Sequence, residues 1–237
     1  MRLTHVHMKQ FEELQPYVDT LVLPIGTIEA HGPHAPLGTD MLIPSKLADI
    51  IESKLGGRIW TAPPIPYGHN FHLRDFPGTI DVPQRIFADY VHAVVSSFSQ
   101  WGIKNVVLLN GHGGNMTALN EVANRLADQG LYVLLSNYWL DYQAEIREIA
   151  PGVGHAGEDE TSLAMAVAPG TVDLSLAGEH VIDAPRGVRF PNMGRAMYPQ
   201  ALSGNAAAAS EEKGERLLDL ISDRLTEEIM GLWKLHF

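Results

Sequence analysis

The residues from 26 to 40, GTIEAHGPHAPLGTD, concentrate acidic and imidazole side chains among glycines and prolines. The segment follows the apolar run TLVLPI, so these polar groups come directly after a stretch that is typical of a buried strand. Glu29 and His31 are two residues apart, which directs their side chains to one face of extended backbone. The glycines and prolines that follow provide a stiff turn that can return Asp40 to the same place. Carboxylates and imidazoles grouped in this way indicate a site for a divalent metal ion.

Two later segments have the same character. In NGHGGN, which follows the apolar run KNVVLL, His112 projects from a turn whose glycines let the backbone approach a ligand closely. In GHAGEDETS, the side chains of His155, Glu158 and Glu160 crowd the start of a helix. Acidic residues are common at helix starts for electrostatic reasons alone, so this third segment gains functional weight only together with the other two.

Together the three segments predict a centre with two divalent metal ions. Oxygen and imidazole donors suit zinc, manganese or iron, and a carboxylate such as Asp40 can bridge the two ions. Water bound to such ions can ionise at about pH 7, which supplies a nucleophile without any serine or cysteine. An uncoordinated His155, with Glu158 or Glu160, is predicted to pass a proton to the leaving nitrogen of a small amide. The predicted metal ligands are Glu29, His31, Asp40, His112 and Glu160.

Several residues near these segments are predicted to contact the substrate. Trp139 follows an apolar run at its carboxyl end and can form an aromatic wall for a small planar ligand, although core packing explains its position equally well. Asn110 either orients the substrate or ties the turn to the helix start. His72 lies in a loop rich in proline and glycine, where a structural turn is an equal alternative. The predicted substrate contacts are His72, Asn110, Gly113 and Trp139.

The elements that must position these residues alternate between strand and helix. Apolar, β-branched runs at 20–25, 58–62, 104–109 and 131–136 predict strands that are buried on both faces. Helical patterns separate them: one with Pro44 in its first turn that ends at Gly56-Gly57, one that begins near Pro83, and one between Asn115 and Gly130. The alternation predicts an α/β fold, a mostly parallel central sheet covered by helices on both sides.

The last part of the chain predicts a closing helix. Behind a Ser210 cap, an apolar stripe recurs every four residues at Leu217, Ile221, Leu225 and Ile229. The preceding residues 184–209 are rich in Gly, Pro and Ala and too long for an ordinary connection. We expect them to shape a site or a subunit contact.

Composition excludes several classes of protein. The 237 residues suit one domain that spans 1–237, and a formal net charge of −11 argues against a nucleic-acid partner. With no cysteine, disulfides, thiolate zinc sites and a cysteine nucleophile are excluded. Neither a signal peptide nor an apolar run long enough to span a bilayer is present, which predicts a cytoplasmic protein with no membrane partner.

The order and spacing of three motifs resemble the creatininase (creatinine amidohydrolase) family. These are EAHGPHAPLGTD, NGHGGN and HAGEDETS, and the resemblance runs from about residue 20 to residue 170. It implies a three-layer α/β/α sandwich, two metal ions, hydrolysis of a C–N bond in a small molecule, and a homo-oligomer, often a hexamer. By matching position, Glu29, His31, Asp40 and His112 are implied to be metal ligands, with Asp40 between the ions.

The chain departs from creatininase proper within NGHGGN. Creatininase proper carries a glutamate ligand two residues after the histidine, where this chain has Gly114, and an aromatic residue at the position of Gly113. Glu160 is our choice to supply the missing carboxylate, rather than Glu158, because it belongs to the ETS triplet. The departure also makes creatinine a doubtful substrate and leaves formamides and other small amides as candidates.

Two alternatives stay open at this point. The first is a hydrolase that opens a keto-inositol carbocycle, as in 3-dehydro-scyllo-inosose hydrolase, with a polar pocket built from Arg74, Arg186, Arg189 and Asn192. The second is a metal-binding or assembly protein without catalysis. The intact set of predicted ligands argues against this second alternative.

Overall fold

The computed structural model describes residues 1–183, 188, 190 and 192–235. Within these residues each predicted strand is present: β1 (Thr20–Ile25), β2 (Ile59–Thr61), β3 (Asn105–Asn110) and β4 (Tyr132–Ser136). They form a four-stranded parallel sheet in the order β2-β1-β3-β4, and a short antiparallel pair, β5 (Glu179–His180) and β6 (Gly204–Asn205), lies outside it. The helices are α1 (Met8–Leu14), α2 (Thr39–Leu55), α3 (Gln84–Phe98), α4 (Met116–Asp128), α5 (Tyr138–Asp141), α6 (Gln143–Ile149), α7 (Glu158–Val167), α8 (Met193–Met197) and α9 (Glu211–Leu232).

Strand residues alternate between two apolar layers, which explains why the strands read as continuous apolar runs. In β1, Leu21 and Leu23 face the layer formed with α3 and α4, whereas Val22 faces the layer formed with α2 and α9. In β3, Val106 and Val107 divide in the same way. Because both faces of the sheet are covered, every position in β1 and β3 is buried. The three-layer α/β/α prediction is therefore confirmed. In the edge strand β4, which the sequence also predicts to be buried, four of the five positions are only half-buried.

The register of the sheet brings two of the polar segments together. Ile25 at the end of β1 pairs with Asn110 at the end of β3, and the N–H of Gly111 donates to the carbonyl of Ile25 over 2.8 Å. The segments that follow these two strands therefore leave the sheet side by side at its carboxyl edge, where open parallel sheets bind ligands.

Helix α2 begins earlier than the sequence predicts. Pro44 lies inside the helix instead of in its first turn, and the helix starts at Thr39. Since proline has no N–H, the carbonyl of Asp40 has no partner four residues later along the helix. This carbonyl instead packs against the chain at Gly26 and Gly111, where a Cβ atom would lie 2.3 and 2.2 Å from the oxygen. The early start places Asp40 on the first turn of a rigid helix and not on a loop.

Helix α9 closes the layer on one side of the sheet as predicted. The Ser210 hydroxyl accepts a hydrogen bond from the N–H of Lys213, and the predicted apolar stripe, Leu217, Ile221, Leu225 and Ile229, is fully buried. In residues 184–209, which the sequence predicts as one long loop, the described part contains α8 and β6. Within the described part of the chain, no helix combines the length and the apolar character that crossing a bilayer requires.

Candidate metal and catalytic site

Acidic and imidazole side chains from the first two motifs meet at the carboxyl edge of the sheet. The Asp40 carboxylate lies between two rings, with Oδ1 2.9 Å from His31 Nε2 and Oδ2 2.8 Å from His112 Nδ1. The Glu29 Oε1 atom lies 3.2 Å from the same His112 nitrogen. All four residues are buried, so the structure brings together residues that stand up to 83 positions apart, from 29 to 112, away from bulk water.

The third motif adds two groups to this cluster from the opposite side. Glu160, near the start of α7, has its Oε2 atom 3.5 Å from His31 Nε2. His155, in the turn before α7, has its Nδ1 atom 3.6 Å from Glu29 Oε1 and its ring centroid 4.5 Å from that of His31. We name these six residues the donor cluster: Glu29, His31, Asp40, His112, His155 and Glu160.

Backbone carbonyls fix the orientation of every imidazole in the donor cluster. His31 Nδ1 lies 3.1 Å from the Glu29 carbonyl, His112 Nε2 lies 3.0 Å from that of His69, and His155 Nε2 lies 2.9 Å from that of Ala30. A carbonyl oxygen only accepts, so each of these nitrogens carries a hydrogen. The other nitrogen of each ring faces the carboxylates, which is the arrangement that metal-binding histidines adopt.

The donor set fits divalent cations. The Nε2 atom of His31 is fully buried and forms no hydrogen bond with the described residues, although Asp40 Oδ1 is only 2.9 Å away. It therefore faces the carboxylate without a proper donor angle. Donor atoms gather in three groups whose members lie within 4.8 Å of one another. These groups are Glu29 with His31 and His155, Glu29 with Asp40 and His112, and His31 with Asp40 and Glu160.

The pKa values of two histidines in the donor cluster also indicate that the cluster favours positive charge. Burial works against a charged His31, but the Asp40, Glu160 and Glu29 carboxylates outweigh it and raise the pKa of His31 to about 10. The pKa of His112 is likewise raised well above its ordinary value against the effect of burial, chiefly by Glu29 and Asp40. Cations placed among these carboxylates would take over the charge that the two imidazolium ions otherwise supply.

Burial and neighbouring like charges shift the pKa values of His155 and Glu160, the two donor-cluster residues from the third motif. Burial lowers the pKa of His155 to about 4, with repulsion from His31 in the same direction, so this ring is neutral at pH 7. Burial also raises the pKa of Glu160 to about 8; His31 opposes this shift, and the neighbouring Asp40 and Asp159 carboxylates add to it.

Glu158 lies outside the donor cluster, contrary to its predicted catalytic role. Its carboxylate accepts hydrogen bonds from Lys213 Nζ on α9 and from the N–H of Gly152. The side chain is 2% exposed and does not line the cavity above the cluster. Since Glu158 is the first residue of α7 and Glu160 the third, their side chains point about 160° apart around the helix axis. Glu158 therefore anchors α7 to α9, while Glu160 reaches the cluster.

Asn110 also differs from its predicted substrate contact. It is fully buried and lies beneath the cluster, where its amide donates to the His112 carbonyl and its oxygen accepts from the His112 N–H. A further hydrogen bond joins it to Asn137 after β4. Asn110 thus holds the turn that presents His112, which is the structural alternative that the sequence left open.

A cavity of about 770 Å³ opens above the donor cluster. The predicted substrate contacts His72, Gly113 and Trp139 line it, together with Glu29, Asp40, His112, His155 and Glu160. Sequence reasoning missed a second set of lining residues: Gln84, Thr117, Gln143, Arg147 and Tyr198. The spacing of four between Trp139, Gln143 and Arg147 was the available signal, since it places all three on one side of a helical segment.

A parallel α/β sandwich with carboxylates and imidazoles at the carboxyl edge of its sheet defines a metal-dependent hydrolase. The family model described as "Creatininase: Creatinine amidohydrolase" matches residues 4–229, and the chain belongs to this family. As a member of this family the chain is an enzyme, and divalent metal binding is supported by its donor cluster.

Individual relatives agree with this assignment. The chain is 30% identical to 3-dehydro-scyllo-inosose hydrolase of Thermotoga maritima, over 94% of this chain and 81% of that protein. It is 29% identical to creatinine amidohydrolase of Pseudomonas putida, over 88% of this chain and 89% of that protein. A solved structure described as "Creatininase Mn" superimposes with a TM-score of 0.87 at 26% identity, covering 96% of both chains.

Proposed function

We propose that this protein uses two divalent metal ions, zinc, manganese or iron, to hydrolyse a C–N bond of a small cyclic amide or of a formamide. The observation that carries the proposal is the convergence of three carboxylates and three oriented imidazoles from three distant motifs. The similarity to creatinine amidohydrolase of Pseudomonas putida supports the type of bond.

The metal ligands that we propose are Glu29, His31, Asp40, His112 and Glu160. Asp40 belongs both to the group with Glu29 and His112 and to the group with His31 and Glu160, which supports a bridging position between two ions. Ions held there would polarise the substrate carbonyl and ionise a water molecule at neutral pH.

The remaining groups of the site move the proton and hold the substrate. His155 is proposed as the proton carrier, because its Nε2–H is bound to the Ala30 carbonyl and its Nδ1 lone pair faces the cluster. A neutral ring can accept a proton at Nδ1 and pass it to the leaving nitrogen. His72, the backbone at Gly113 and Trp139 are proposed to contact the substrate from the wall of the cavity.

The test combines metal analysis with one substitution on α2. Purified protein is expected to contain two ions per chain, and Asp40→Ala should lose metal and lower kcat/KM toward a panel of formamides and lactams by about 100-fold or more. The matched control is Asp49→Ala on the same helix, because Asp49 pairs with Arg2 at the surface. Activity that survives both chelation and the Asp40 substitution would refute the mechanism.

Opening of a keto-inositol ring is the second candidate, and similarity to the Thermotoga maritima enzyme favours it. The arginine pocket predicted for it receives no support from the described residues. Arg74 stacks over the Phe71 ring, and Arg186 and Arg189 lie outside the described residues. Turnover of a keto-inositol, with no turnover of any amide in the same panel, would select this candidate.

A further inference from the structure

The cavity is large for the small amides that the donor cluster is proposed to cleave. Its volume of about 770 Å³ lies in the range of pockets that enclose ligands of drug size, about 300–1,000 Å³. Part of this space lies beside Gly113, where an added Cβ atom would meet nothing within 4 Å. The cavity therefore has room for a second part of a substrate beyond the scissile bond.

The outer wall of the cavity carries polar side chains without protein partners. Gln143 and Arg147 lie one turn apart on α6, Gln84 is the first residue of α3, and Thr117 lies in the first turn of α4. With the described residues, none of these four side chains forms a hydrogen bond or an ion pair. The helix dipole explains a basic residue in the last turn of α6, but not the convergence of three further unpaired groups from three helices.

The charges of the cavity are separated along its depth. Four carboxylates lie at the floor, from Glu29, Asp40, Asp159 and Glu160, whereas Arg147 supplies the guanidinium group among the described lining residues. Glu29, Asp40 and Glu160 are proposed ligands of two divalent ions, which would balance their charge, so the exposed Arg147 remains to attract an anionic group on a substrate. This arrangement orients such a substrate with its anion outward and its neutral amide toward the donor cluster.

We propose that the substrate carries an oxyanion, a carboxylate or a phosphate, at the end opposite to the scissile amide, and that Arg147 binds it. The guanidinium fork matches both kinds of oxyanion, and Gln143, Gln84 and Thr117 supply further hydrogen-bond donors. Trp139, four residues before Gln143, covers the apolar part between the two ends. This inference rests on the proposed amide hydrolysis and narrows it to a class of substrates.

The test compares, on the metal-loaded protein, anionic amides with uncharged amides that carry the same formyl or lactam group. The pairs are N-formylglycine with N-methylformamide, pyroglutamate with pyrrolidinone, and N-formyl-phosphoethanolamine with N-formylethanolamine. The wild type should prefer the anionic member by about ten-fold or more in kcat/KM, because a charge-assisted bidentate contact is among the stronger hydrogen bonds. The carboxylate and phosphate pairs tell the two oxyanions apart.

Substitutions locate the source of the preference. Arg147→Met should abolish the preference by lowering kcat/KM for the anionic amides toward the values for their uncharged partners, and Arg147→Lys should retain part of it. Arg216→Met on α9 is the matched control, since Arg216 is exposed and does not line the cavity. A preference that survives in Arg147→Met would mean that the metal ions bind the anion, which contradicts the role of Arg147. Equal kcat/KM for both members of each pair in the wild type would refute an anion site.

Failure of the proposed reaction gives a different result. If no amide is turned over, calorimetry on the same compounds still measures whether Arg147 binds an anion. Anion-selective binding that Arg147→Met removes would support the anion site and contradict the amide hydrolysis. Binding without selectivity would contradict both.

Discussion

Gly114 shows how closely the residues around His112 are packed. A Cβ atom at this position would lie 2.0 Å from the His69 carbonyl oxygen and 2.4 Å from His112 Nε2, the two atoms whose hydrogen bond orients the ring. The resemblance to creatininase proper implies a glutamate ligand at this position, and this structure has no space for one. We propose that Glu160, whose Oε2 atom lies 3.5 Å from His31 Nε2, supplies the carboxylate that is missing at Gly114.

A methyl group at position 114 should therefore displace the His112 ring. Gly114→Ala is expected to weaken metal binding by about 10–100-fold, the usual effect of losing a group that orients a ligand. Metal content after dialysis against a weak chelator measures this change. Gly113→Ala is the matched control, because its Cβ would meet no atom within 4 Å. Equal metal retention in the two variants would contradict the packing argument.

Most site residues could be predicted from the sequence, because metal chemistry restricts donors to a few residue types. His31, Asp40 and Glu160 meet in space as expected, and a ligand role for each remains our proposal. The groups that orient the imidazoles could not be predicted, since the carbonyls of Ala30 and His69 carry no side-chain signal. The sequence likewise could not decide whether Glu158 or Glu160 reaches the donor cluster, because this depends on the direction of each side chain around α7.

At the scale of elements, the site depends on contact between α7, which presents Glu160, and α9. The two helices approach closely at Gly214, where a Cβ atom would lie 2.0 Å from the Ser162 carbonyl oxygen. The Lys213–Glu158 ion pair and a hydrogen bond from the N–H of Ser210 to Ser162 Oγ lie beside this contact. Helix α9 thereby fixes the position of α7 although it contributes no residue to the donor cluster.

Separating these helices should destabilise the fold. Gly214→Ala is expected to lower the free energy of unfolding by about 1–3 kcal/mol, because the added methyl group overpacks the contact. Urea denaturation measures the change. Gly231→Ala in the same helix serves as control: nothing lies within 4 Å of its Cβ, so the better helix propensity should stabilise by up to about 1 kcal/mol. The prediction fails if both variants shift stability in the same direction.

The strands and α9 were predictable because their apolar periods match the layers that they contact. The start of α2 was not, since Pro44 is typical of a first helical turn and only the tertiary packing of the Asp40 carbonyl explains the extra residues before it. The composition and length of residues 184–209 indicated a loop. The short strand β6 in this segment could not be predicted, because its pairing with β5 depends on contacts between distant segments that no local pattern reveals.

At the scale of the whole molecule, the buried carboxylates of the donor cluster couple metal binding to stability. Glu29 and Asp40 are 2% and 3% exposed in a chain with a formal net charge of −11. Divalent ions bound at this position neutralise charges that folding has removed from water. Ions that bind the folded state alone must raise its stability.

Removal of metal should therefore lower the melting temperature. At a metal concentration about 100 times Kd, the binding contribution is about 2.7 kcal/mol, which corresponds to roughly 5–10 °C for a chain of this size. Differential scanning calorimetry before and after chelation measures the shift, and re-addition of zinc, manganese or iron should reverse it. In Asp40→Ala the shift should be absent, and a full shift in that variant would contradict the assignment of the site.

Trp233, just after α9, donates its indole N–H to Thr20 Oγ1 over 2.8 Å, and Arg58 stacks on the same indole. The first strand of the sheet is thus joined to a residue 213 positions later. During synthesis, the proposed metal ligands, which follow β1 and β3 or lie on α2 and α7, leave the ribosome before the segment around Trp233 does. We therefore expect the proposed divalent ions to bind after translation, from the cellular pool that the completed protein meets.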